Sequence, residues 1–218
     1  MSVAKCLTPL VMIAAACGSG DSNTDPNPLP NVLLIRGSDM GVKFQNIDIL
    51  RGTNTVTGAT VTVNGVNMPE TGPGRYTGQL PTFLAPGASV VLQVVAGSLA
   101  ATGQTTVPQE VVIVAPASGA TITRGSPISV SWTSSGNPDR FVIGLLWTSN
   151  GAGSGNNVTV AGSLRAGSIP TTAVPANATN LSVYVYAYGD GTFTGAADPT
   201  SRMSLRQAAV DASVTFSP

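Results

Sequence analysis

The feature that most constrains this chain is an alternation of apolar and polar residues with period two, which sets in at Asn31 and recurs to the C-terminus. In Thr60-Val61-Thr62-Val63-Asn64 the valines fall on one side and the polar residues on the other. Ile128-Ser129-Val130-Ser131-Trp132-Thr133 repeats the arrangement with larger side chains. Successive side chains of a strand project to opposite faces, so both segments read as strands with one buried face. Val90-Val91-Leu92-Gln93-Val94-Val95 and Phe141-Val142-Ile143-Gly144-Leu145-Leu146-Trp147 are nearly continuous apolar runs. Such runs suit strands covered on both faces or near a sheet centre. Val210, Ala212, Val214 and Phe216 alternate with Asp211, Ser213 and Thr215, predicting a closing strand. Turn formers separate the runs, as they do between the short strands of a sandwich. They are Asn64-Gly65, Gly72-Pro73-Gly74, Pro86-Gly87, Gly136-Asn137-Pro138, Asn150-Gly151 and Asp190-Gly191.

The 25 glycines and 16 prolines favour tight turns over long helices. Val107-Pro108-Gln109 ends a polar stretch and a fresh strand begins at Val111, which puts a junction near residues 107 to 110. The predicted fold is all-β: two tandem antiparallel β-sandwiches, residues 31–107 and 108–218, after an N-terminal segment of a different kind. Both cysteines, Cys6 and Cys17, lie in that segment, so the body must hold together by packing without a disulfide.

Residues 1–16 read as an export signal. Met1 to Lys5 is a short positive region, and Leu7 to Ala16 is an apolar run shorter than the roughly 20 residues a spanning helix needs. The run ends in Ile13-Ala14-Ala15-Ala16-Cys17, which resembles the lipobox of bacterial lipoproteins, with Ala14 in place of the usual leucine. The resemblance implies that Cys17 is acylated, becomes the mature N-terminus and anchors the chain to a membrane. Ala14-x-Ala16 also suits ordinary signal peptidase, the competing reading, under which the protein is secreted. Residues 17–30 continue as Gly18 to Pro30, nearly devoid of apolar side chains, and read as a flexible tether. Gly18 and Ser19 after the cysteine, by resemblance to enterobacterial sorting, imply the outer membrane.

The run from Ala115-Pro116 through Gly119 and Gly125 to Trp132-Thr133 resembles Ig-like and fibronectin-type-III-like modules, including those of Ser/Thr-rich cell-wall proteins. Gly167-Ser168-Ile169-Pro170 and Leu181 to Tyr188 fit that family's fifth and sixth strands. Residues 58–65, Gly74-Arg75-Tyr76-Thr77-Gly78 and Pro86-Gly87 look like an accessory β-domain of the carboxypeptidase-regulatory, transthyretin-like type. Neither resemblance brings catalytic residues or a cofactor with it.

The inventory for chemistry is poor. With no histidine, the chain lacks the commonest general base, zinc ligand and activator of a serine nucleophile. After the signal the only lysine is Lys43, and the only glutamates are Glu70 and Glu110. No motif proposes a carboxylate pair, so the expectation is no enzyme, no cofactor and no metal site. Asp139, Asp190 and Asp198 fall in or beside predicted loops that would suit calcium, but the alternating acids of an EF-hand are missing and Asp190-Gly191 reads more simply as a hairpin turn. Charged residues are 9% of the chain and the net charge is zero, so no basic face is expected and nucleic acid is not an expected partner.

The candidate surface is aromatic. Along Leu181 to Tyr188, alternation puts Leu181, Val183, Val185 and Ala187 on one face and Tyr184, Tyr186 and Tyr188 on the other. If the aliphatic face is core, the tyrosines form an exposed ladder suited to a cell-wall glycan or an envelope protein; otherwise they pack on neighbouring strands. The chain thus reads as a non-catalytic, lipid-anchored envelope protein that displays β-sandwiches to bind envelope polymers or partner proteins, with a ligand-free structural spacer as the alternative. A carbohydrate-active enzyme, which would need two acids converging in a cleft, is a third reading.

Overall fold

The computed structural model describes residues 31–207 and 212–217. Residues 1–30, with the expected lipidation site Cys17, and Val210 of the expected closing strand lie outside the described residues. The described chain holds nineteen strands and no helix. The first half supplies β1 (Leu34–Gly41), β2 (Phe44–Arg51), β3 (Asn54–Thr55), β4 (Thr60–Val63), β5 (Val66–Asn67), β6 (Glu70–Gly72), β7 (Arg75–Gln79), β8 (Ser89–Ala96) and β9 (Leu99–Thr106). There follow β10 (Val111–Ala115), β11 (Ala120–Thr123), β12 (Ile128–Ser134), β13 (Arg140–Ser149), β14 (Ala152–Ala161) and β15 (Ala166–Ile169). The last four are β16 (Thr179–Asp190), β17 (Thr192–Gly195), β18 (Arg202–Gln207) and β19 (Ala212–Ser217).

Alternation sets the burial of these strands. Along β12 the inward residues Ile128, Val130 and Trp132 are buried, and along β4 Val61 and Val63 are. Two sandwiches result, each with its own core. The first gathers Ile35, Ile47, Ile49 and Tyr76 against Val61, Val63, Val90, Leu92 and Val94. The second gathers Phe141, Ile143, Leu145, Val183 and Val185 against Val111, Ile128, Val130, Trp132 and Ile169. Trp132 and Phe141 meet with ring centroids 5.0 Å apart, tilted by 60°. Each such side chain taken out of water contributes about 1.5–3 kcal/mol, the main force holding a body without cross-links.

The pairing joins the sandwiches through one sheet. β11, β19, β16, β18, β1, β2, β7 and β6 lie side by side, with β13 and β14 continuing from β16 and β3 from β2, eleven strands in all. A three-stranded sheet, β10-β12-β15, covers the second core, and a five-stranded sheet, β17-β9-β8-β4-β5, covers the first. The long strand β16 makes the junction: Leu181 to Val183 pair with β19, while Ala187 to Asp190 pair with β18.

Three expectations are corrected here. The first sandwich is not built from residues 31–107 alone, because β17 pairs with β9, β18 pairs with β1, and Met203 and Leu205 sit in the first core. The stretch between them is latched to the start of β1: Leu33 N donates to the Ala196 carbonyl at 2.7 Å, and Ile35 N donates to Ser201 Oγ at 3.1 Å. Nor is the pairing wholly antiparallel, since β1–β18 and β11–β19 run parallel. Asn64-Gly65 and Asn150-Gly151 do close two-residue hairpins, with both asparagines at positive φ, 48° and 51°. Asp190-Gly191 does not; it is where the chain leaves the shared sheet for the five-stranded one. A β-carbon at Gly189 would meet the Thr106 carbonyl oxygen at 2.4 Å, and one at Gly191 the Gln104 carbonyl oxygen at 2.8 Å. These glycines let β16 run against the backbone of β9.

Candidate functional site

The outer face of the shared sheet, opposite both cores, carries the residues most suited to meeting a ligand. Along β16, Leu181, Val183, Val185 and Ala187 are buried in the second core, which turns Tyr184, Tyr186 and Tyr188 outward. The expected ladder of three exposed rings is corrected at one rung. Tyr184 is only 7% exposed. It pairs in register with Gly144 of β13, and with no side chain at that position its ring settles over the neighbouring strand.

Tyr186 and Tyr188 are half-buried, and each carries an arginine on its ring. The Arg206 guanidinium lies 4.4 Å from the Tyr186 centroid and that of Arg140 lies 4.4 Å from the Tyr188 centroid. Tyr184 and Tyr186 are 4.8 Å apart, so Tyr186 is bounded by a ring and a guanidinium. Register places both arginines beside Tyr188, and Arg206 reaches diagonally to the ring two residues back. Arg140 opposes Tyr188 across β13 and β16, and Arg206 opposes Tyr188 across β16 and β18. A cation over an aromatic face is worth about 0.5–1 kcal/mol at an exposed site and fixes the plane of the guanidinium.

Arg140 also forms an ion pair with Asp190 and donates to Ser204 Oγ at 3.3 Å. Ser204 in turn donates to the other oxygen of Asp190, and Asp190 N donates to Asp139 Oδ2 at 2.8 Å. Asp139 and Asp190 border a cleft of about 350 Å³ between the halves, with Gln109, Asn137 and Thr105 among its other walls. Two acids in a cleft is the arrangement a glycosidase needs. Here both Asp190 oxygens are engaged by Arg140 and Ser204, and Asp139 caps a backbone amide, so the pair is built into the junction.

Further along the same face runs a row of charges across four strands. Arg202 on β18 opposes Arg36 on β1, Arg36 opposes Asp48 on β2, and Asp48 opposes Arg75 on β7. Arg75 Nε donates to Asp48 Oδ1 at 3.0 Å. A hollow of about 420 Å³ opens beside it, lined by Arg36, Asp48, Thr71, Gly74 and Arg75. The expectation of no basic face is thereby corrected: five of the eight arginines, Arg36, Arg75, Arg140, Arg202 and Arg206, gather on one surface. Sequence reasoning missed them because they are scattered along the chain, and net charge does not report how charge is distributed. Their one local signal is position, since Arg36 follows Ile35 and Arg206 follows Leu205, the outward places of alternating strands.

The remaining candidates for chemistry are dispersed. Lys43 lies over the Phe83 ring, 4.9 Å from its centroid. Glu70 accepts hydrogen bonds from Gly58 N at 2.8 Å and Gly74 N at 3.0 Å, and these hold its carboxyl below the ordinary carboxylate range. Asp198 is lowered likewise, first by the Thr200 hydroxyl and then by its amide. Burial raises the Tyr76 phenol; its oxygen accepts from Ala59 N and donates to the Val56 carbonyl, both at 2.9 Å. Among the described residues no three acidic, histidine or cysteine side chains are grouped to hold a metal ion.

No protein-family model matches the chain, and no curated protein does. Among solved structures it is similar to the fibronectin(III)-like modules of CbhA from Clostridium thermocellum, at 15% identity over 84% of this chain and 94% of that one, with a TM-score of 0.27. It is also similar to the FN1-FN3 domains of chicken CNTN1, at 13% identity over 86% of this chain and 68% of that one, with a TM-score of 0.30. The sandwich assignment rests on the strand pairing itself.

Proposed function

We propose that this chain is a non-catalytic envelope protein, anchored through an acylated Cys17, that uses the outer face of its shared sheet to bind an envelope polymer or a partner protein. One observation carries the binding part: Tyr186 and Tyr188 stand on the long strand β16 with arginines stacked on both rings, outward from a fully packed core. Tyrosine rings and guanidinium groups together offer flat apolar area edged with hydrogen-bond donors, which suits sugar rings and partner proteins alike. The anchoring part rests on the sequence of residues 7–17 and on the apolar-poor stretch that follows.

Two measurements test it. Intact mass of the chain from a bacterial membrane fraction should show cleavage before Cys17 and the added mass of acyl groups; an unmodified chain beginning elsewhere removes the anchor. Retention on isolated cell envelopes should fall in Tyr186→Ala and Tyr188→Ala with little change in melting temperature. Unchanged retention in both variants would return the chain to the spacer reading.

A further inference from the structure

We infer that the ligand of this face is an anionic glycan, a polysaccharide carrying carboxylate or sulfate groups, lying across both sandwiches; this rests on the reading of the face as a binding surface.

The charge pattern is the first argument. Arg36 and Arg202 are direct cross-strand neighbours, and like charges so placed destabilise a sheet. The acids ion-paired on this face among the described side chains are Asp48 and Asp190, held by Arg75 and Arg140, and Asp139 stands beside Asp190 at its edge. Among the described side chains, five arginines stand against three aspartates, which leaves a positive surplus on this surface within a chain whose formal net charge is zero. Asp48 lies opposite Arg36 on its other side but is bonded to Arg75, so one carboxylate is shared along a row of three arginines, and such a surplus is a place to look for function. An anion set between Arg36 and Arg202 supplies the missing countercharge.

Shape and spacing are the second. The hollow beside Arg36, Thr71 and Arg75 has a volume of about 420 Å³, within the range of small-ligand sites. From Arg75 on β7 to Arg140 on β13 the face crosses five inter-strand spacings of about 4.8 Å, roughly 24 Å before twist. That span is a track for a chain with repeated charges, longer than one small anion requires. Guanidinium forks match carboxylate and sulfate oxygens two at a time, and stacking on Tyr186 and Tyr188 fixes the planes of two of them.

The aromatic geometry selects a glycan over a nucleic acid. Single-stranded nucleic acid binds by stacking bases on open aromatic faces. Tyr186 has the Arg206 guanidinium over its ring and the Tyr184 ring tilted against it, and Tyr188 carries Arg140, so neither ring is a bare stacking platform. A polyhydroxylated chain needs no such face.

The experiment titrates the full chain with polygalacturonate and its fully methyl-esterified form, and with dextran sulfate and dextran. Tighter binding of polygalacturonate identifies carboxylate as the preferred group, and tighter binding of dextran sulfate identifies sulfate. Either charged polymer should bind at least tenfold tighter than its neutral counterpart and weaken as salt is raised. The double variant Arg36→Gln, Arg202→Gln should lose tenfold or more in that affinity while its melting temperature holds or rises; Arg124→Gln, outside the row, should bind as the parent does. Equal affinity for charged and neutral polymers, parental binding by the double variant, or equally tight binding of single-stranded DNA overturns the inference. Envelope retention that depends on Tyr186 but not on the arginine pair overturns it too, while leaving the binding surface in place.

Discussion

Tyr184 lies across Gly144: a β-carbon on residue 144 would fall 2.3 Å from the tyrosine's Cζ and Oη, with the Asn156 carbonyl oxygen 2.6 Å away on the other side. The two residues face each other in register on β16 and β13, so the ring fills the gap that a glycine leaves in a sheet face. Gly144→Ala must therefore move both an aromatic ring and a backbone strand. The expected cost is about 1–3 kcal/mol, as for other overpacked sites, measured as a lower urea midpoint with unchanged slope. A neutral substitution would mean that the ring lies elsewhere.

The same contact separates three tyrosines that sequence alone treats as equivalent. Tyr184 is a packing residue, and its replacement by alanine should destabilise the second sandwich by roughly 3 kcal/mol, in line with other large buried rings. Tyr186 and Tyr188 are half-buried and should cost about 1 kcal/mol or less, the scale of a stacked cation at an exposed site. Thermal melts of the three alanine variants distinguish this pattern from a ladder of equal rungs.

Acid should loosen the loops around β6 before it unfolds the cores. Glu70 joins Gly58 and Gly74 through its two oxygens, and those backbone hydrogen bonds hold its folded pKa below the unfolded one. The contribution is therefore fully present above the unfolded pKa, about 4.3, and is lost as pH falls through the lower folded value. Amide resonances of Gly58 and Gly74 should shift in that acidic window and stay constant from pH 5 to 8. Glu70→Gln should show the loosened positions at neutral pH and no such titration.

What could be read in advance follows from where the information sits. Burial along a strand is local, so alternation placed Val61 and Val63, Ile128 to Trp132 and Val183 to Ala187 on the correct faces. Which strand lies next to which is not local. Met203 and Leu205 alternate with Ser204 and Arg206 as any strand would, and nothing in residues 192–207 signals that they pair with β9 and β1. The arginine row was hidden for the same reason: Arg36, Arg75 and Arg202 become neighbours only once the sheet order β18-β1-β2-β7 exists. The burial of Tyr184 depended on a glycine forty residues earlier, Gly144, whose lack of a side chain matters only through the β13–β16 register.

The crossing of residues 192–207 into the first sandwich makes the two halves a single folding unit. Without it, β9 loses the partner β17, β1 loses β18, and the first core is opened where Met203, Leu205 and Phe193 pack. Met203 and Leu205 at about 1.5–3 kcal/mol each, with a part of that from the half-buried Phe193, are comparable with the whole stability of a small domain, about 5–15 kcal/mol. Two newly exposed strand edges add a route to aggregation. Residues 31–107 expressed alone should therefore fail to give a cooperative melt, although a tandem arrangement of independent sandwiches would let them fold. In the full chain, Leu205→Ala should cost about 2–5 kcal/mol. Because β18 is hydrogen-bonded to β16 as well as to β1, calorimetry should register that loss as a shift of one shared transition. Two separable transitions, with only one of them moved by the substitution, would show that the strands cross without coupling the cores.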